Sequence, residues 1–149
     1  MRILVQRSKE SSVSVDNKQV GRINKGYVIF VGFKNNDTEK DIDYLINKLL
    51  NLRIFEDEFH NMNKNIKEVS GEILSISQFT LYSDTKKGNR PSFKDAMEFD
   101  KAQSLYQLFN DKLKKYIHVE TGIFGADMLV NINNDGPVTI MLESRSLND

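Results

Sequence analysis

Residues Tyr27-Val28-Ile29-Phe30-Val31-Gly32-Phe33 form one unbroken apolar run. No polar residue interrupts it, so neither face of an extended segment here suits water. A strand of that kind lies inside a sheet and is covered on both faces. The run is therefore read as a central strand, and the rest of the chain must supply what flanks and covers it.

The flanking segments do so in two periods. Ile3, Val5 and Val13-Ser14-Val15 alternate as strands do. Asp16-Asn17-Lys18 reads as a turn, which predicts a hairpin of Ser12–Val15 with Gln19–Ile23. After Asp37, a cap-competent residue, Ile42, Leu45, Ile46, Leu49 and Leu50 recur at helical spacing. Arg53-Ile54-Phe55 reads as a short strand and 57–67 as a loop. Residues 72–82 read as one long strand, followed by an exposed polar loop over 83–91. Pro91-Ser92 opens a second helical region. Asp100 with Gln103 suggests a capping box, and Ala102, Leu105, Phe109 and Leu113 form its stripe. Three closing strands are expected at 117–120, 128–132 and 138–142, with Asn134-Asp135-Gly136 turning between the last two. No repeat, linker or second domain is visible. The order predicts one compact α/β domain over 1–149, with a largely antiparallel sheet, a barrel-like core and two main helices.

Composition narrows the function. The 149 residues suffice for one real core. Net charge is zero, which argues against wholesale coating of nucleic acid but allows a local basic patch. There is no cysteine, so thiolate catalysis, disulfides and thiolate metal sites are excluded. The start of the chain turns polar too early for a signal peptide, and no apolar run reaches the ~20 residues of a membrane span. A cytoplasmic protein is expected.

Two stretches carry candidate chemistry. On 72–82, drawn as a straight pleat, Gln78 and Thr80 share a face with Leu74 and Ile76, while Ser75, Ser77 and Phe79 share the other. Hydroxyls and an amide emerging at a strand end suit a site edge; they also suit ordinary packing with bonds to the backbone. The second stretch is Gly136-Pro137-Val138-Thr139, where proline removes a ladder donor at an expected strand start. No serine elbow is present, and His60 and His118 lack recognisable partners, so a serine–histidine triad is not expected. His60 reads as a solvated loop residue and His118 as an edge or partly packed strand residue. The carboxylates of 37–43 read as helix-start charges. No metal-ligand spacing and no phosphate-binding glycine pattern occurs. Lys112, Lys114 and Lys115 suit a helix C-terminus. Lys86, Lys87 and Arg90 follow the polar strand end, and are read either as a solvated loop or as an RNA contact.

Ser77-Gln78-Phe79-Thr80-Leu81-Tyr82 and Asn134-Asp135-Gly136-Pro137-Val138-Thr139 resemble the two signature motifs of the D-aminoacyl-tRNA deacylases. Residues 2–7, Gly88-Asn89-Arg90-Pro91-Ser92-Phe93 and Thr121-Gly122-Ile123-Phe124-Gly125-Ala126-Asp127-Met128 resemble further segments of that family. The similarity spans nearly the whole chain. It implies an ester hydrolase that needs no cofactor, releasing D-amino acids from the 3′ end of tRNA in the cytoplasm. It also implies a homodimer in which a cis Gly136–Pro137 bond of one protomer enters the partner's site. The carbonyls there would read the α-amino group and chiral centre. Glycine, including that mischarged on tRNA-Ala, would be hard to reject.

By the same resemblance Arg7 would orient the Gly-Pro carbonyls, a task suited to a guanidinium fork. Val138 and Thr139 complete the chirality segment. Ser77, Gln78, Phe79 and Thr80 would form the cleaving edge, with backbone N–H groups around Phe79 and Thr80 as oxyanion donors. An unassisted Thr80 hydroxyl is a poor nucleophile, which favours substrate-assisted attack by the tRNA 2′-hydroxyl or a water it positions, with Thr80 positioning. Two alternatives stand beside this reading: a relative that edits a mischarged L-amino acid, and a non-catalytic dimeric RNA-binding module.

Overall fold

The structure is a computed structural model and describes residues 1–144. The expected domain over 1–149 reaches further, and residues 145–149 lie outside the described residues. Along the chain come β1 (Arg2–Ser8), β2 (Ser11–Val15), β3 (Lys18–Ile23), β4 (Gly26–Gly32), α1 (Glu39–Asn51), β5 (Phe55–Glu56), β6 (Met62–Lys64) and β7 (Glu72–Ser77). A 3-10 turn (Phe79–Tyr82), α2 (Phe99–Leu113), β8 (Val119–Thr121), β9 (Leu129–Asn131) and β10 (Asn134–Glu143) complete it.

The apolar run becomes β4, in the middle of a five-stranded sheet ordered β10-β1-β4-β7-β8. Its two faces meet different layers. Tyr27, Ile29 and Val31 join Ile3, Val5 and Ile73 in a core shared with α1 and α2. Val28 joins Val13, Ile23, Leu74 and Ile76 beneath a second sheet, ordered β3-β2-β9. The molecule thus stacks helices, a five-stranded sheet and a three-stranded sheet. The β10–β1, β1–β4, β2–β3, β2–β9 and β5–β6 pairings are antiparallel, whereas β4–β7 and β7–β8 are parallel. The large sheet has two ends, β10 and β8, so its barrel-like curvature does not close.

Local chemistry corrects several expectations. Thr38, not Asp37, caps α1. Its hydroxyl accepts from Lys40 N at 3.3 Å while Asp41 Oδ2 accepts from Thr38 N at 2.8 Å. Asp37 is drawn away to the Met1 ammonium at 2.7 Å and to Lys34 N. Ile42, Leu45, Ile46, Leu49 and Leu50 are buried as expected, each contributing roughly 1.5–3 kcal/mol of apolar burial. Helix α2 starts at Phe99, well past Pro91, and Glu98 caps it through Asp100 N. Its stripe uses Tyr106 beside Ala102, Phe109 and Leu113, with Leu105 only partly buried. The expected strand at 53–55 shifts to Phe55–Glu56 and pairs with Met62–Lys64, so the 57–67 loop contains a small hairpin.

Two corrections bear on the site. The long strand expected over 72–82 ends at Ser77, and 79–82 coil into a 3-10 turn. Likewise Asn134-Asp135-Gly136 is not a turn between two closing strands. β9 pairs with β2 in one sheet, and Asn134 already belongs to β10 in the other.

Candidate active site

The C-terminal ends of the parallel pair β4 and β7 open onto a cleft of about 610 Å³. This is where open α/β sheets generally place their ligands, because the strands end together while the following segments diverge. Val31 to Phe33 and Ile76 to Phe79 form its floor and lip, the first turn of α2 gives Phe99 and Ala102, and residues 124–128 give the opposite wall. Among the described residues Asp127 is the one charged residue lining it. Aromatic edges hold the walls: Phe79 meets Phe93 edge-on at 5.0 Å, and Phe99 meets Phe124 at 5.1 Å.

The lip is tied to β4. Gln78 N donates to Val31 O at 2.8 Å, continuing the strand register for one more bond. Leu81 N then turns back to Gln78 O at 3.3 Å, closing the 3-10 turn. Gly32 allows the close approach, since a Cβ there would stand 2.8 Å from Gln78 O. In such a turn the N–H groups of Phe79 and Thr80 have no acceptor within the turn. Gln78 Nε2 donates to Thr80 Oγ1 at 2.6 Å. The Thr80 oxygen therefore accepts from an amide, and its own proton is free to donate. Phe79 is exposed, while Ser77, Gln78 and Thr80 are half-buried. Below the lip, Tyr106 donates to Ser75 O at 2.8 Å. Burial pushes the Tyr106 phenol up, which keeps it a neutral donor.

The second stretch lies elsewhere. Gln6 pairs with Thr139 and Ser8 with Asn134, so β10 inserts residues 135–138 where β1 has Arg7 alone. This is an enlarged bulge on an edge strand, the setting in which a sheet tolerates proline. Gly136 has φ 130° and its peptide bond to Pro137 is cis. Gly136, Pro137 and Thr139 are exposed, and Val138 is buried. Asn134 braces the bulge from within: its Oδ1 accepts from Val138 N at 3.1 Å and its Nδ2 donates to Thr139 Oγ1 at 2.9 Å.

Arg7 lies beneath, only 6% exposed. Its Nε donates to Asp135 O at 3.0 Å and its Nη1 to Ile54 O at 2.7 Å. Among the described residues, then, the guanidinium grips the carbonyl just before Gly136 rather than those of Gly136 and Pro137. Leucine here would leave those carbonyls without this donor, at roughly 1–3 kcal/mol each.

Within one chain the two stretches are far apart. Ser77 stands opposite Val31, Val31 opposite Ile3, and Arg7 lies four residues along β1 from Ile3. From Ser77 to the bulge is three strand spacings across and four residue rises along, about 20 Å.

The remaining candidates divide plainly. Lys86, Lys87 and Arg90 are exposed on the loop after the lip. His60 is a solvated loop residue, as expected, and His118 is exposed at the entry to β8, 3.5 Å from Glu120. Lys112 is held by Asp43 and Glu39. Among the described residues no three His, Asp or Glu side chains gather as a metal site needs. Sequence reasoning did not single out Asn134 as a brace, nor Phe99, Met97 and Asp127 as cleft lining. An Asx residue two positions before a Gly-Pro was a usable signal for the first; the others converge only through the fold.

A family model described as "D-Tyr-tRNA(Tyr) deacylase" matches residues 4–143. A D-aminoacyl-tRNA deacylase of Clostridium novyi is 56% identical over 97% of this chain and 98% of its own length. One from Bacillus thuringiensis is 53% identical over 97% of this chain and 100% of its own. A solved structure titled "c-Myc DNA Unwinding Element Binding Protein" superposes with TM-score 0.93 at 41% identity, covering 98% of this chain and 100% of that one. A second, a probable eukaryotic D-amino acid tRNA deacylase, superposes with TM-score 0.83 over 96% of this chain and 98% of that one; at 19% identity it speaks for the fold alone.

Proposed function

The chain belongs to the D-Tyr-tRNA(Tyr) deacylase family, and from that premise we propose that it hydrolyses the ester joining a D-amino acid to the 3′ end of tRNA. The observation that carries the reading is the lip itself. Ser77, Gln78 and Phe79 line an apolar cleft where the strand ends, Thr80 follows them in the turn, and two backbone N–H groups are unpaired within that turn. The ester carbonyl is placed against those N–H groups, which stabilise the oxyanion as it forms. The Thr80 hydroxyl donates a hydrogen bond, because its oxygen is already engaged by Gln78. Among the described residues no histidine lines the cleft. The attacking oxygen is therefore assigned to the tRNA 2′-hydroxyl or to a water it positions, rather than to Thr80.

Chirality is read by a second copy of the chain. A bulge about 20 Å from its own cleft cannot serve that cleft, yet it is braced by Asn134 and held from below by a buried arginine. In a two-fold homodimer each bulge enters the other protomer's cleft. The Gly136 and Pro137 carbonyls then face the substrate α-amino group, Val138 and Thr139 anchor the segment, and Arg7 fixes it through Asp135. An L-residue is misplaced there. Glycine, including glycine mischarged on tRNA-Ala, passes. Lys86, Lys87 and Arg90 meet phosphates of the tRNA end, and the protein works in the cytoplasm where tRNA is charged.

The test is hydrolysis of D-tyrosyl-, L-tyrosyl- and glycyl-tRNA by the purified protein. Turnover of the D and glycyl esters with the L ester spared is expected. Preferential L-ester turnover would instead mark an editing enzyme for L-residues, and binding without turnover an RNA-binding module.

A further inference from the structure

The 3-10 turn that carries Thr80 is only four residues long, and a turn that short does not hold its own shape. Its start is fixed by the Gln78–Val31 bond. Its end is fixed by a residue the sequence did not mark, Arg2. Arg2 Nη1 donates to Leu81 O at 2.7 Å, and its Cζ lies 4.5 Å from the centre of the buried Tyr82 ring. Its Nε donates to Glu143 Oε1 on β10 at 3.1 Å, which sets the plane of the fork. A planar guanidinium can bond a carbonyl at one edge, a carboxylate at another, and stack on a ring with its face. A lysine ammonium cannot make that combination.

We propose that Arg2 is a positioning residue for the reaction: by fixing Leu81 O and the Tyr82 ring it sets the direction of the Phe79 and Thr80 N–H groups and of the Thr80 hydroxyl. This rests on the reading of the lip as the cleaving edge. It also gives β1 a double task. Arg7, near its C-terminal end, grips the Gly-Pro bulge, and Arg2, at its start, grips the cleaving turn. One strand thereby registers both working parts against the sheet.

The test uses R2A, R2M, R2K and E143Q in the full chain, with kcat and KM on D-tyrosyl-tRNA and amide exchange at Leu81. In R2A and R2M, kcat falls about ten- to a hundredfold with KM nearly unchanged, as expected when reacting groups are misplaced by a fraction of an ångström to 1 Å. R2K recovers only part of the loss. E143Q stays near wild type, because the Leu81 bond and the Tyr82 stack survive. Exchange speeds up at Leu81, whose N–H bonds Gln78 O, but not at Val28 or Ile29 in β4. If R2A does not fold, R2M and R2K decide. Wild-type kcat in the folded variants would overturn the proposal. Should the wild-type protein itself show no turnover, the deacylase reading falls, and unchanged exchange at Leu81 in the variants would overturn the positioning role separately.

Discussion

The cleft lip at 77–82 and the bulge at 135–138 are built alike and placed oppositely. Each is a polar departure from a β-strand, and each has an arginine of β1 donating to one of its carbonyls or to the carbonyl beside it. The lip, however, faces a cavity of its own chain, and its Phe79 packs against Phe93 there. The bulge faces outward from an edge strand, with Gly136 and Pro137 exposed and a charged side chain buried beneath them. Burying an arginine to stiffen an exposed loop makes little sense for the stability of one chain. It makes sense if the loop must keep its shape when it meets something else. Under the proposed function the contrast separates two tasks: cleavage at the lip, and the judging of configuration by the bulge in a neighbouring copy.

That contrast can be broken at either end. Phe79 opens the 3-10 turn, a position where proline is tolerated but removes the N–H. Phe79→Pro should therefore cost roughly 10²–10³-fold in kcat on D-tyrosyl-tRNA. Phe79→Ala, which keeps the N–H and loses only the contact with Phe93, should cost far less. Equal losses in the two variants would remove the N–H from the mechanism. Gly136→Ala attacks the other end. Its φ of 130° disfavours a side chain, and the added Cβ would stand 2.8 Å from Val138 Cγ2. The ratio of D- to L-tyrosyl-tRNA hydrolysis should fall by about tenfold or more in the folded variant, since 1.4 kcal/mol of lost discrimination already gives that factor. A variant that loses activity on both esters equally would tie the bulge to cleavage instead.

A smaller effect is expected at the basic loop. Replacing Lys86, Lys87 and Arg90 together by alanine should raise KM for whole tRNA and reduce its log–log salt slope by about two, as for three lost single-strand phosphate contacts. Hydrolysis of a D-aminoacyl-adenosine should be unaffected. The smallest effect lies away from both regions, at the start of α1. Burial, the largest influence, pushes Asp41 up, yet bonds from Ser144 and Thr38 and the Met1 ammonium together hold its carboxyl below the ordinary value. Its contribution is present above that value and is lost as pH falls through the lowered one. Asp41→Asn should cost about 1 kcal/mol near neutrality and progressively less in acid, read by denaturant melts across the acid range.

The large features were legible because they are written in side-chain chemistry along a single segment. The two-faced run at Tyr27 to Val31 announces a covered central strand, and both motifs were visible as residue strings. The end of β7 was not legible. Gln78, Thr80 and Tyr82 continue the alternation a strand would show, and only the Gln78–Val31 bond and the close pass at Gly32 reveal the turn. The bulge was equally hidden, because its size is a statement about register against Arg7, more than a hundred positions away. Asp37 and Thr38 are both cap-competent and adjacent; the Met1 ammonium decides between them. Phe93, Phe99 and Phe124 come from three separate segments and become a wall only when α2 and the 124–128 segment dock on the sheet.

The division of labour between two copies is tested most directly by mixing the damaged chains. Phe79→Pro lacks the cleaving donor but keeps an intact bulge, while Gly136→Ala keeps the donor but distorts the bulge. Unfolded and refolded together in equal amounts, they should form mixed dimers in which one of the two composite sites is whole. D-selective activity should then return to about a quarter of the wild-type level per chain, as random pairing in a two-fold dimer gives. Activity no greater than the sum of the separate variants, in a mixture shown to contain mixed dimers, would contradict the cross-subunit site.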